Sequence, residues 1–177
     1  MNVSIEFNQY LMKEALKEAQ LAFLSGEVPV GAVVAFRGEI IARAHNRVEE
    51  LGMACAHAEM LAIEDASREL GNWRLSDCVL CVTLEPCSMC IGAIRLARIP
   101  LIVYGARDER LGACGSLYDL SLDPRLGSPP RVISGVQHDE CVNLMKEFFK
   151  EQRKNSTKEK ILDEKQPAGL IPPGFML

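Results

Sequence analysis

The sequence predicts a three-layer α/β/α domain with a central mixed sheet of about five strands. Two apolar segments joined by a short polar turn indicate an opening hairpin. The apolar segments after it alternate with amphipathic helices, as in α/β domains. The 177 residues, with 48% hydrophobic and 25% charged side chains, suit one globular domain. We expect that domain at residues 1–155 and a disordered tail at residues 156–177.

The first half of the chain predicts a helix, the hairpin and a second helix. The first helix has apolar side chains on one face, and Ser25-Gly26 ends it. The hairpin strands are apolar, and Gly71 follows the second helix as a helix-ending residue. In chain order the helix, two strands, loop and helix are Phe7–Leu24, Gly31–Phe36, Glu39–Ala44, Val48–Cys55 and His57–Leu70.

The second half predicts strands and helices in alternation. A helix begins at Pro86, because proline fits the first helical position, and we expect it to bury Met89, Ile91, Ile94 and Leu96. Glycine and proline are frequent before the last strand and mark a loop. The strands, that loop and the final helix are Cys78–Thr83, Leu101–Tyr104, Leu111–Pro130, Arg131–Val136 and Glu140–Lys150 or longer.

Three residue types that bind zinc occur in a compact pattern. His57 precedes Glu59 by two positions, and Cys87 and Cys90 follow Pro86 with the spacing of one helical turn. A catalytic zinc uses three protein ligands and keeps one position for water, whereas a structural zinc has four. Three ligands plus a carboxylate that handles protons match the His-x-Glu and Pro-Cys-x-x-Cys pattern of zinc-dependent nucleobase deaminases.

A structural zinc site is the competing interpretation of the cysteines. Cys78 and Cys81 would join Cys87 and Cys90 as four ligands. However, Cys78–Thr83 has the pattern of a buried strand, and neighbouring odd and even positions point to opposite faces. We therefore expect Cys78 and Cys81 to lie on different sides of the sheet. His57 alone would most simply be a buried core histidine, but Glu59 and the cysteine pair favour the catalytic site.

The composition of the chain limits the cellular compartment and the kinds of binding partner that we expect. The N-terminus lacks a basic region followed by an apolar segment, so we expect no signal peptide, and no segment is long enough to cross a membrane. Seven cysteines, an odd number, argue against a disulfide framework and favour the cytoplasm. The net charge of −4 argues against non-specific coating of nucleic acids but allows a local basic patch.

Beyond the zinc motifs, the sequence resembles the bacterial tRNA-specific adenosine deaminases of the cytidine deaminase-like superfamily. The zinc motifs, Ala56-His57-Ala58-Glu59 and Thr83 to Cys90, resemble those of the superfamily as a whole. Further segments resemble the tRNA-specific family in particular, and the resemblance covers roughly residues 6–150. These segments are Glu27 to Val33, Gly105-Ala106-Arg107-Asp108, Gly112 to Leu117 and Asp139-Glu140-Cys141.

The resemblance implies hydrolytic deamination of adenosine to inosine at the wobble position of a tRNA anticodon. His57, Cys87 and Cys90 would bind one Zn²⁺ per subunit, and hydroxide on zinc would attack carbon 6 of the purine with Glu59 as proton shuttle. The implied partners are a tRNA anticodon stem-loop, such as that of an arginine tRNA, and a second copy of the chain in a homodimer.

The resemblance also implies three substrate-binding residues. Asn46 matches a residue that contacts the target nucleotide, and Arg107 and Asp108 match a loop that contacts the anticodon. The local sequence leaves other interpretations open: Asn46 could hydrogen-bond its own backbone in a turn, and Arg107 and Asp108 could be surface charges.

Two features depart from the family pattern. Met53-Ala54-Cys55 replaces a segment that often carries a hydroxyl before Ala-His-Ala-Glu, and we predict that Cys55 does not bind the metal in the active enzyme. Beyond Lys160 the resemblance ends. The final helix is basic and would offer either a surface for phosphates or a solvated helix end through Lys146, Lys150, Arg153, Lys154, Lys158 and Lys160.

Two other functions remain as alternatives. A deaminase of free guanine, cytosine or cytidine would use the same zinc chemistry, and turnover of a free base without RNA would identify it. A non-catalytic binding protein stabilised by zinc is the other, although a structural site has no use for Glu59.

Overall fold

A computed structural model shows a five-stranded mixed sheet with helices on both faces, which confirms the predicted fold class. It describes the backbone of residues 4–165 and the side chains of residues 4–155. The strands are Gly31–Phe36 (β1), Glu39–His45 (β2), Cys78–Leu84 (β3), Leu101–Ala106 (β4) and Arg131–Ile133 (β5). The helices are Ile5–Leu24 (α1), Val48–Leu51 (α2), Ala58–Leu70 (α3), Ser88–Leu96 (α4) and His138–Lys165 (α5), with a short 3-10 turn at Pro124–Leu126.

The strand directions bring distant parts of the chain to one edge of the sheet. The spatial order is β2-β1-β3-β4-β5. β1 is antiparallel to β2 and β3, whereas β3, β4 and β5 are parallel. The carboxyl ends of β2, β3 and β4 therefore meet the start of β1 at the same edge. In open α/β sheets, ligands bind beyond such strand ends.

Alternating side chains of the central strands form two hydrophobic cores. Cys78, Leu80 and Val82 belong to the core that also contains residues of α3 and α4. Val79 and Cys81 belong to the core that also contains residues of α1 and α5. Cys78 and Cys81 thus lie on opposite faces, as predicted, and cannot join one four-cysteine zinc site.

Close packing of α1 on the sheet depends on Gly31. A Cβ atom at Gly31 would lie 2.0 Å from the carbonyl oxygen of Ala15 and 2.4 Å from the amide nitrogen of Ala19. The backbone N–H of Gly31 also donates to the hydroxyl of Thr83, 3.1 Å away on β3. Only glycine allows the helix to approach the strand this closely.

Several predicted boundaries were wrong. The loop predicted at Val48–Cys55 contains α2. α4 begins at Ser88 rather than Pro86, because Cys87 is extended and serves as the N-cap residue. The carbonyl of Pro86 instead accepts from the backbone N–H of Ala113, 2.9 Å away. β4 runs two residues past the predicted end at Tyr104, and β5 stops at Ile133, where its pairing with β4 ends.

The prediction that α4 buries Met89 and Leu96 was also wrong. Ile91 and Ile94 are fully buried, but Met89 is 36% exposed and Leu96 is 77% exposed. Positions three apart share one face of a helix, and that face is the one turned toward the sheet. Met89 and Leu96 lie on the other side of α4, away from the hydrophobic core.

The C-terminal helix extends past Lys150, as the prediction allowed, and α5 continues to Lys165. The separate tail predicted at residues 156–177 lies mostly outside the described residues, and the domain boundary at residue 155 stays a prediction. None of the helices in residues 4–165 combines the length and the hydrophobicity needed to cross a membrane.

Candidate active site

Three side chains converge at the edge of the sheet where the strands end. The sulfur atoms of Cys87 and Cys90 are 3.6 Å apart. Nδ1 of His57 lies 3.7 Å from Sγ of Cys87 and 3.6 Å from Sγ of Cys90. The structure therefore brings the three predicted metal ligands together around one point.

Two helix N-termini hold these ligands in place. His57 is the N-cap residue of α3, and Cys87 is the N-cap residue of α4, with Cys90 in its first turn. Neither N-cap side chain makes a capping hydrogen bond to the backbone of its helix. Nδ1 of His57 and Sγ of Cys87 instead face each other across the cluster. Helix N-termini carry partial positive charge, which favours thiolates.

The donor set and its dimensions fit zinc. Bonds of about 2.3 Å to sulfur and about 2.0 Å to nitrogen in a tetrahedral shell place neighbouring ligand atoms roughly 3.5–3.8 Å apart. The three separations above fall within that interval. Three protein ligands leave the fourth tetrahedral position for a water or a substrate, which is the arrangement of catalytic rather than structural zinc.

The charges within this cluster also favour a cation. A hydrogen bond from Cys90, and then one involving His57, lowers the pKa of Cys87 to about 4. The pKa of Cys90 moves in the opposite direction, because the neighbouring Cys87 sulfur and burial both oppose its ionisation. Two thiols this close cannot both be thiolates without a compensating positive charge, which a divalent metal supplies.

Glu59 lies in the first turn of α3, two residues after His57, with only 3% of its surface exposed. Burial raises the pKa of Glu59 to about 7; the Cys87 thiolate adds to the increase and His57 opposes it. A carboxylate that gains and loses a proton near neutral pH is suited to proton transfer. Glu59 is therefore placed for the role predicted for it.

Cys55 stands apart from this cluster. In the described part of the chain, the group of potential ligand atoms lying within 4.8 Å of one another consists of His57, Cys87 and Cys90. The Cys55 thiol is exposed to solvent. This geometry supports the prediction that Cys55 is not a metal ligand.

A cavity of about 1130 Å³ opens beside the cluster, and His57, Glu59 and Cys87 line it. Asn46 also lines the cavity. Its side chain is not part of a local turn: Nδ2 donates to Oε2 of Glu27, 3.0 Å away. Glu27 was not predicted as a site residue, because no local sequence pattern indicates a contact between residues on either side of a hairpin.

Arg107 and Asp108 follow β4 and also line the cavity. Oδ1 of Asp108 accepts from the backbone N–H groups of Arg110 and Leu111, at 2.9 Å and 3.2 Å. Asp108 therefore stabilises its own turn, and within the described side chains no hydrogen bond engages its Oδ2. The Arg107 side chain is exposed.

Glu85 is a second residue that the sequence analysis missed. It is 2% exposed, and its carboxylate accepts hydrogen bonds from two separate parts of the loop that follows β4. Oε1 accepts from the backbone N–H groups of Cys114 and Ser116, at 2.9 Å and 3.0 Å. Oε2 accepts from the N–H of Asp108 and from the Ser116 hydroxyl. A charged residue between an apolar strand and Pro86 was the signal that could have indicated it.

Comparison with known proteins places this site in a family. Residues 5–106 match the family model described as the cytidine and deoxycytidylate deaminase zinc-binding region. The tRNA-specific adenosine deaminase of Streptococcus pyogenes serotype M3 is 45% identical over 169 residues, which cover 94% of this chain and 99% of the relative. The Bacillus subtilis tRNA-specific adenosine deaminase is 48% identical over 147 residues, which cover 83% of this chain and 91% of the relative.

A solved structure has the same fold. It comes from a study of A-to-I editing by tRNA deaminases at the wobble position of transfer RNA, and it is 43% identical with a TM-score of 0.73. The match covers 76% of this chain and 98% of that structure. The part of the chain that matches the family model, residues 5–106, contains His57, Glu59, Cys87 and Cys90. The chain therefore belongs to the tRNA-specific adenosine deaminase family, within the zinc-binding cytidine and deoxycytidylate deaminases.

Proposed function

We propose that this chain converts the wobble adenosine of a tRNA anticodon to inosine by hydrolytic deamination. The observation that carries the proposal is the position of the buried Glu59 beside the cluster of His57, Cys87 and Cys90, on the wall of an open cavity. The three ligands would hold one Zn²⁺ per chain. When bound, zinc lowers the pKa of a coordinated water, which supplies a nucleophile at neutral pH.

Glu59 performs the proton transfers in this proposal. Water adds at carbon 6 of the purine, and the amino group leaves as ammonia, so protons must move from the water to the ring nitrogen and to the departing nitrogen. A carboxyl group with a pKa of about 7 exists in both protonation states at neutral pH. Glu59 can therefore take the first proton and return it to the substrate.

The cavity wall supports an RNA substrate rather than a free base alone. α5 contributes the basic side chains Lys146 and Arg153 to the lining, beyond the residues near the metal cluster. Bases in a single-stranded loop are already accessible, so an anticodon loop can present one nucleotide at low cost. Asn46 and the Arg107-Asp108 turn lie on the cavity wall, where they can contact that nucleotide and its neighbours. A tRNA substrate also implies action in the cytoplasm.

We also propose that the chain acts as a homodimer. Apolar side chains are exposed on α4, at Met89 and Leu96, and in the loop that follows β4, at Leu122 and Leu126; these four are called the apolar patch below. Arg95 fastens this loop to α4, because its guanidinium donates to the carbonyls of Asp123 and Gly127, at 3.1 Å and 2.7 Å. An ordered apolar patch of this kind favours a protein partner, and a second copy is the partner expected in this family.

The test uses purified protein with its zinc content measured. An arginine tRNA transcript with adenosine at the wobble position is incubated with the protein, and inosine is read by sequencing. Free adenosine, cytidine, cytosine and guanine are assayed in parallel for ammonia. We expect inosine at the wobble position only, no product with Glu59→Ala, and full activity with Glu39→Ala, a control on the exposed start of β2.

Other outcomes would identify the alternatives. Ammonia from a free base without inosine in the tRNA would identify a base or nucleoside deaminase with the same metal site. No product from any substrate, with one zinc per chain, would favour a binding protein stabilised by zinc.

A further inference from the structure

Glu27 is a buried carboxylate whose direct partners are both uncharged. It is 1% exposed and lies just before β1, on the wall of the cavity. Oε1 accepts from the backbone N–H of Glu50, 2.8 Å away, and Oε2 accepts from Nδ2 of Asn46, 3.0 Å away. The nearby Arg47 guanidinium is bonded to Glu50 instead. Burying a carboxylate without a paired cation costs free energy, so we expect Glu27 to have a function that offsets this cost.

The hydrogen bond between Glu27 and Asn46 fixes the orientation of the Asn46 side-chain amide. An ionised carboxylate only accepts hydrogen bonds, so the Asn46 side chain must present its nitrogen to Glu27. Among residues 4–155, each carboxylate oxygen of Glu27 accepts one hydrogen bond, and the backbone N–H of Glu50 occupies Oε1. Within residues 4–155, no hydrogen bond engages Oδ1 of Asn46. This oxygen and the second N–H of the amide are therefore available to a ligand.

The Asn46 backbone is held as well. Its N–H donates to the carbonyl of Val30, 2.9 Å away, where the start of β1 lies beside the end of β2. With the backbone fixed by the sheet and the amide fixed by Glu27, the side chain keeps a single orientation. Such pre-organisation lowers the entropy lost when a ligand binds.

We propose that Glu27 is a positioning residue that acts through Asn46. It holds the Asn46 amide so that a nucleotide in the cavity meets one defined pattern of donor and acceptor. This inference rests on the proposed function, in which Asn46 contacts the target nucleotide. The bond from Glu50 to Glu27 offers a simpler role, the stabilisation of α2, and the experiment must separate the two.

Glu27→Gln is the decisive substitution, because it keeps the size and changes one oxygen into a donor. The N–H of Glu50 still needs an acceptor, so the new amide nitrogen must face Asn46, and the Asn46 amide must reverse. We expect kcat/KM for the tRNA to fall roughly 10- to 100-fold, as for one misdirected buried hydrogen bond. Glu39→Gln, the same chemical change on an exposed side chain at the start of β2 and outside the cavity lining, is the control and should stay within about twofold.

A double-mutant cycle with Asn46→Ala distinguishes the two roles. If Glu27 acts through Asn46, the double variant Glu27→Gln/Asn46→Ala is no less active than Asn46→Ala alone. If the two losses multiply, Glu27 acts independently of Asn46, and the proposal is wrong. Zinc content and thermal midpoint are measured for every variant, so that a loss of folding is recognised.

A measurement without activity tests the contact itself. The side-chain amide of Asn46 is assigned by NMR from the resonances that disappear in Asn46→Ala. We expect one of its protons to lie downfield in the native protein, because it donates to a charged acceptor, and to move upfield in Glu27→Gln. An unchanged resonance would overturn the proposal. If the native protein forms no inosine, the proposed function fails, while this spectrum still decides whether Glu27 holds Asn46.

Discussion

The carboxylate of Glu85 accepts a hydrogen bond from the backbone N–H of Asp108, 3.2 Å away, and so joins the segment before Cys87 to the loop after β4. The same carboxylate holds the loop at Cys114 and Ser116. Gly112 makes this possible, because a Cβ atom there would lie 2.6 Å from the Glu85 carboxyl carbon. One buried charge thereby fixes the loop after β4 at two points, near Asp108 and at Cys114 to Ser116.

Replacing Glu85 should therefore cost both stability and activity. In Glu85→Gln, an amide nitrogen faces backbone N–H donors that have no other acceptor. We expect the free energy of unfolding to fall by about 2 kcal/mol or more, measured by urea denaturation. Glu109→Gln in the exposed part of the same loop is the control, with an expected change within about 0.5 kcal/mol. Equal effects of the two substitutions would contradict the role of Glu85.

Thiol labelling should report the metal site directly. Among the seven cysteines, Cys55 is exposed, whereas burial raises the pKa of Cys78 to about 11 and those of Cys114 and Cys141 to about 12. A thiol with a raised pKa stays protonated at pH values near 8, so it reacts slowly. With zinc bound, we expect rapid alkylation of Cys55 alone.

A strong chelator should then expose a further thiol. Cys87 is only partly buried, so removal of the metal should allow its alkylation, as identified by mass spectrometry. Cys55→Ser should remove the first label and keep both the zinc and the activity. Loss of zinc in Cys55→Ser would show that Cys55 is a ligand.

Charge reversal on α5 should weaken RNA binding. Lys146 is exposed and lines the cavity, so Lys146→Glu should raise the Kd for the anticodon stem-loop. Each lost phosphate contact should reduce the slope of log K against log salt by about 0.7. Lys13→Glu, on α1 and outside the cavity lining, should leave the slope unchanged. The role of α5 would be refuted if both variants bound RNA alike.

An acidic residue in the apolar patch should separate the subunits. The native chain has a mass of 19.6 kDa, and we expect sedimentation at twice that mass. Leu96→Asp buries a charge in the proposed interface and should give monomers. Ile5→Asp, an equally exposed apolar residue at the start of α1, should leave the dimer intact. A monomeric native protein would disprove the proposed interface.

The close contact between α1 and Gly31 of β1 should contribute to the stability of the fold. Gly31→Ala places a methyl group against the backbone of α1, so we expect the free energy of unfolding to fall by about 3 kcal/mol. Gly92→Ala on α4 is the matched control and is made in the Leu96→Asp variant, because Gly92 shares the exposed helix face of Met89 and Leu96. Within the chain, a Cβ atom at Gly92 would meet no neighbouring atom within 4 Å. That substitution should raise stability by up to about 1 kcal/mol, since alanine favours helix. Thermal and urea unfolding would measure both.

The sequence by itself determined the main helices and strands and the set of candidate metal ligands. The periodicity of apolar residues is local, so β1 was predicted with its observed ends and α3 with Gly71 at its end. The ligands were equally readable, because His57, Glu59, Cys87 and Cys90 lie within short motifs. Each motif lies at a helix N-terminus, whose position the flanking residues indicate.

Only the tertiary structure decided how the rest of the site is supported. Asn46 meets Glu27 across the hairpin, and Glu85 meets two parts of the loop that follows β4. The exposed positions of Met89 and Leu96 likewise depend on which face of α4 meets the sheet. These contacts join residues that are distant in sequence, and no local periodicity encodes such a pairing. They follow from the strand order, which places separate strand ends at one edge of the sheet.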